Sequence, residues 1–188
     1  MMMLLQKELY AQLHAEMHAN HESIAFEVRP LDAEQISRRP AVDAWSVAEV
    51  LEHLTLMDAL FLDATEPLVR VARPDAGAPN RPYRESFIGK NIAGALVKPK
   101  ALTSPKAAVP STPRAGVAEA FLAGDACFLA LIESARTLDW NAVRLRPPPA
   151  PWMPLRLNLG DVFHIHTVHV RRHLAQIKRV KATFESAK

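Results

Sequence analysis

Residues 162–177 read VFHIHTVHVRRHLAQI, and the spacing within this run decides the fold. Val162, Phe163, Val170, Leu174 and Ile177 recur at helical intervals, continuing Leu159 before them and Phe184 after them. That is one apolar stripe of an amphipathic helix over about 158–184. Arg171, Arg172, Lys178 and Arg179 mark its solvated side. His166, His169 and His173 fall inside or beside the apolar stripe, while His164 points away from it. Residues four apart stack one turn above each other, so His169 and His173 can aim both imidazoles at one point.

A helix with a long apolar stripe needs partners, and three further periodic segments supply them. The first runs over about 3–28 without proline or glycine, with Leu5, Leu9, Leu13, Met17 and Ile24 on one face. The second covers about 45–71, where Ser46 and Glu49 form a capping box ahead of Val47, Val50, Leu51, Leu54, Met57 and Phe61. The third covers about 114–136 through Val117, Phe121, Phe128, Leu131 and Ile132. Between them lie proline-rich connectors: 73–113 with seven prolines, and 137–157 with Pro147, Pro148, Pro149, Pro151 and Pro154. A short helix fits around 84–96, and the rest of that block reads as loop, long enough to lie over a site. With no strand pattern and no internal repeat, the expectation is an all-α four-helix bundle with long proline-rich connectors, one domain over 1–188.

His53 on the second helix shares a face with Val50, Met57 and Leu60, so it also points inward. One inward histidine facing a His-x-x-x-His pair is how metal sites are built inside bundles. Three protein ligands leave a coordination position for water or substrate, as in catalytic zinc sites. The competing reading is three hydrogen-bonded core histidines. His14, His18 and His21 repeat the spacing on the first helix but lie beside its apolar stripe, and are expected at the boundary or in solvent. His166 reads as a core histidine or a group supporting the metal ligands rather than a fourth ligand. Gln176 reads either as an amide that orients a ligand or bound water or as an ordinary buried amide. Glu49, one turn before His53, is the candidate general base, with its helix-capping role as the alternative.

Composition removes other classes. The 188 residues are 49% apolar and 23% charged, with a formal net charge of +3. That is too mild for a protein whose main work is gripping phosphates. Beyond it only the basic stretch 98–106 points to nucleic acid, and the basic residues of the last helix are interleaved with no aromatic platform. Cys127 is the sole cysteine, so no intrachain disulfide forms. The short apolar start 1–5 is followed at once by Lys7 and Glu8, and no apolar run approaches a membrane span. A soluble cytoplasmic protein is expected, without nucleic acid or membrane partners.

Two segments also resemble a known family. Residues 45–54, WSVAEVLEHL, resemble the W-S-x-x-E-x-x-x-H-L segment of the DinB-like (YfiT-type) proteins. Residues 169–177, HVRRHLAQI, resemble their closing H-x-x-x-H-L-x-Q-I helix. The resemblance implies a bundle wound up-down-down-up, with a divalent metal held by His53, His169 and His173. Zinc or nickel leads among the metals it implies, followed by iron or manganese. It also implies a homodimer, and a small-molecule substrate such as a low-molecular-weight thiol. Characterised relatives include thiol-dependent S-transferases and isomerases, some using bacillithiol or mycothiol. The expected function is a metal-dependent transferase or hydrolase. The alternative is a non-catalytic metal-binding or dimerisation scaffold, and a solvent-connected cavity at the triad would discriminate between them.

Overall fold

The computed structural model describes residues 4–98 and 103–185. The expected first residue of helix one, Met3, and the middle of the basic stretch lie outside the described residues. In chain order the helices are α1 (Gln6–Val28), α2 (Ala33–Ser37), α3 (Val47–Val71), α4 (Phe87–Leu96), α5 (Val117–Ser134) and α6 (Leu159–Glu185). The four long ones, α1, α3, α5 and α6, are the periodic segments of the sequence, and the fold is all-α.

Helix starts follow local chemistry. Ser46 accepts the Glu49 N–H at 3.2 Å while the Glu49 carboxylate accepts the Ser46 N–H at 2.8 Å, closing the capping box of α3. Asn158 and Asp161 do the same for α6, at 2.8 and 3.0 Å. Helix α5 begins at Val117 rather than at 114, because Gly116 turns the chain with φ +66°, a conformation open chiefly to glycine.

Two apolar clusters fill the bundle and reveal its winding. One gathers Leu9, Leu13 and Met17 from the start of α1, Phe61 from the second half of α3, Phe128 to Ala135 from the end of α5, and Leu159 to Val168 from the start of α6. The other gathers Ile24 and Val28, Val47 to Leu54, Val117 and Phe121, and Val170 to Val180. Helices α1 and α6 therefore run one way, and α3 and α5 the other, which is the up-down-down-up order. Leu51, Leu54, Phe121 and Ile132 are wholly buried, and each such side chain contributes roughly 1.5–3 kcal/mol.

The connectors carry more structure than their prolines suggest. Helix α2 is nucleated by Asp32, whose carboxylate accepts the N–H groups of Glu34 and Gln35 at 3.0 and 2.8 Å. Helix α4 falls within the short helix expected around 84–96. Strands β1 (Arg144–Leu145) and β2 (Leu157–Asn158) pair antiparallel and draw together the ends of the second proline-rich connector. Two residues are too few for strand alternation to register in a sequence. Tyr83 lies flat against Gly160, where any Cβ would collide with its ring, and its hydroxyl donates to Asp161 at 2.7 Å. This contact fastens the first connector to the start of α6. Among the described residues, no helix is long and apolar enough to cross a membrane.

Candidate metal centre

His53 comes from the second turn of α3, and His169 and His173 from successive turns of α6; all three are buried. The structure brings their Nε2 atoms together, with His169 Nε2 3.1 Å from that of His53 and 3.2 Å from that of His173. The outer nitrogens of the two flanking rings are fixed. His53 Nδ1 donates to the Ala108 carbonyl at 2.7 Å, and His173 Nδ1 to Gln176 Oε1 at 2.9 Å. Both rings therefore carry their hydrogen on Nδ1 and present a bare Nε2 lone pair to His169. His169 Nε2 has at most one hydrogen to give, so at least one close nitrogen pair faces lone pair to lone pair.

A cation among the three nitrogens relieves that repulsion. The spacing fits, because two ligand atoms about 2.0–2.1 Å from one ion lie about 3.0–3.5 Å apart. The residues present thus fit a divalent metal. Burial also prepares them, since it disfavours the charged imidazolium. It lowers the pKa of His53, and it lowers that of His169 further, with the neighbouring histidines adding to the effect. His173 is pushed down to about 3, by burial first and then by His53. Neutral imidazoles are the form that ligates.

Glu49 does not reach this centre. Its carboxylate is held by the Arg39 guanidinium and by the Ser46 N–H within the helix cap. Burial alone would raise its pKa, but the Arg39 and Ser46 bonds outweigh burial and leave it below the usual carboxylate range. A carboxylate so stabilised is a poor proton acceptor, and in this arrangement Glu49 serves the helix cap. Glu52, beside His53, is likewise engaged by Arg114, at 2.9 and 2.8 Å. That fork pins the end of the first connector to α3, near the point where Ala108 meets His53.

A cavity of about 680 Å³ reaches the triad. Trp45, Met57 and Phe61 line it from the α3 side, Ile88, Ile92 and Leu96 from α4, and Pro147, Pro149 and Met153 from the second connector. Both proline-rich connectors are therefore walls of the site. The Trp45 ring lies 5.1 Å from His53 and is nearly parallel to His173 at 6.4 Å, centroid to centroid. Arg172 also lines the cavity, and its guanidinium donates to the carbonyls of Leu96 and Lys98 at 2.9 and 2.6 Å. Arg84, Phe87 and Arg156 border a separate pocket.

A profile described as the DinB superfamily matches residues 11–177, a span that includes all three histidines. The chain belongs to the DinB superfamily. Searches of curated proteins and of solved structures find no significant match. As in other members of a metal-binding family, the buried histidine group of this DinB protein could hold a metal ion.

The DinB bundle contains a second polar cluster that the sequence reading missed. His166 does not support the triad through a hydrogen bond. Its Nε2 instead lies 3.3 Å from Asp58 on α3 and 3.3 Å from Asp125 on α5, and its ring stacks on Phe128 at 3.9 Å. These are ion-pair distances, and His166 Nε2 has no hydrogen-bond partner among the described residues. Burial acts against charge on His166, yet the two carboxylates outweigh it and raise its pKa to about 9. Asp58 is shifted upward by burial despite the histidine beside it. His21 joins from α1, 2.8 Å from the other oxygen of Asp125. It sits at the boundary, as do His14, paired with Glu133 at 2.7 Å, and His164, 3.5 Å from Glu85; His18 is exposed. A signal for the cluster existed: Asp58 and Asp125 interrupt apolar faces, between Leu54 and Phe61 and between Phe121 and Phe128.

Proposed function

We propose that this DinB protein is a divalent-metal-dependent enzyme that transfers a low-molecular-weight thiol to a small, largely apolar molecule. The observation that carries the proposal is the convergence of three neutral Nε2 atoms at the wall of an apolar cavity. A divalent ion bound there acidifies a thiol or water, supplying a nucleophile at neutral pH. Imidazole donors suit zinc and nickel, and also iron. His53 and His173, oriented by Ala108 and Gln176, keep their lone pairs aimed at one point without rearrangement. Trp45, Met57 and Ile92 exclude water around the acceptor. Thiol transfer is favoured over hydrolysis because hydrolysis calls for a general base, and the nearest candidate, Glu49, is committed to Arg39 and Ser46.

The cavity also favours an enzyme over a scaffold, since a scaffold has no need of a chamber at its metal ligands. The test is turnover of an aryl electrophile with a panel of small thiols by metal-loaded protein. Turnover should disappear on chelation and in His173→Ala while circular dichroism stays unchanged. Turnover that survives both would contradict the proposal, as would protein that binds metal at the triad yet leaves every thiol and ester unreacted.

A further inference from the structure

We propose that Asp58, Asp125 and His166 form a second divalent-cation site inside the bundle, distinct from the histidine triad. Each residue comes from a different helix, and all three are buried. His166 Nε2 sits 3.3 Å from a carboxylate oxygen of each aspartate, and each of the three residues has a ligand atom within 4.8 Å of the other two. Separations of about 3.0–3.5 Å are those between ligands that share one ion.

Hydrogen bonding does not account for the arrangement. His166 Nε2, Asp58 Oδ2 and Asp125 Oδ1 are buried without a hydrogen-bond partner among the described residues, as is His166 Nδ1. Such atoms are costly unless something satisfies them. The charge also fits a divalent ion. Two carboxylates and a neutral imidazole around one divalent cation balance in charge. The surroundings resemble the support given to ligands elsewhere: His21 holds the far oxygen of Asp125 at 2.8 Å, and Phe128 fixes the plane of the His166 ring. Two oxygens and one nitrogen make a harder donor set than three imidazoles, so manganese(II) or iron(II) suits it better than zinc.

The experiment counts manganese(II) in protein refolded with the ion, by mass spectrometry and by electron paramagnetic resonance. The background is His53→Ala/His173→Ala, in which the triad is disabled, so the result is independent of the proposed enzymatic role. One ion per chain is expected there, with a modulation signature of a single histidine nitrogen, and none after adding Asp125→Asn. Asp58→Asn serves as a second variant should Asp125→Asn fail to fold. No manganese in the background protein would overturn the proposal and leave a proton on His166 as the occupant. So would an ion that both aspartate variants retain, or one without a histidine nitrogen.

Discussion

Helix α6 carries two buried histidine environments one turn apart, and they behave in opposite ways. At His169 and His173, burial keeps the rings neutral, and the neighbouring imidazoles and Arg172 act in the same direction. At His166, equally buried, two carboxylates outweigh the same desolvation and hold the ring charged. Burial alone therefore does not set the state of a core histidine; the partners contributed by α3 and α5 do. Glu49 and Glu52, the carboxylates flanking His53 along α3, are engaged by Arg39 and Arg114.

The largest expected effect follows from removing the charged member of this contrast. His166→Ala leaves Asp58 buried without its histidine partner and Asp125 with His21 alone, and should destabilise the metal-free protein by about 3–5 kcal/mol in urea denaturation. His169→Ala removes a neutral ring, and should cost clearly less, about 1–2 kcal/mol. Equal losses would erase the distinction between the two clusters.

A pH series on metal-free protein probes the same contrast from both sides. The His173 pKa falls from an unfolded value near 6.5 to about 3 on folding, so the unfolded chain takes up its proton first. Its contribution is present above about pH 6.5 and is lost as pH falls toward 3, at up to about 1.4 kcal/mol per pH unit. His166 is raised to about 9, so its contribution is present below about 6.5 and is lost as pH rises through 9. Denaturation midpoints should therefore fall on both limbs, and His166→Gln should flatten the alkaline limb alone. A change in the acid limb with that variant would mean that the two clusters titrate as one.

The sequence made the four helices legible because their apolar periods are long, and the second also because Ser46 and Glu49 mark its start. It made the triad legible because His53 and the His169–His173 pair interrupt apolar faces with a residue type that has an evident use. Asp58 and Asp125 interrupt apolar faces in the same manner, but an aspartate on an amphipathic helix reads as solvated until the third helix supplies His166. That is a tertiary fact without a local pattern. The connectors were legible as proline-rich, whereas their role as cavity walls depends on Tyr83 packing on Gly160 and on Arg114 gripping Glu52, contacts 77 and 62 residues apart.

Two smaller effects sharpen the neutral side of the comparison. Gln176→Leu removes the acceptor that fixes the His173 tautomer, and should weaken zinc binding by roughly 10–100-fold in competition titrations while leaving the fold intact. An unchanged affinity would mean that ring orientation is set elsewhere. Glu49→Gln should lower stability by about 1 kcal/mol through the weakened cap, visible in thermal melts, and shift metal affinity by only a few-fold. A tenfold loss of metal affinity or of turnover would return Glu49 to the site.

The central claim is that His53, His169 and His173 bind one metal through Nε2, and anomalous diffraction from crystals grown with zinc tests it most directly. The predicted result is a peak at the zinc edge about 2.0–2.1 Å from all three Nε2 atoms, with a further position open toward the cavity. A map from zinc-saturated crystals without a peak there, or with zinc held by only one of the three, would contradict it.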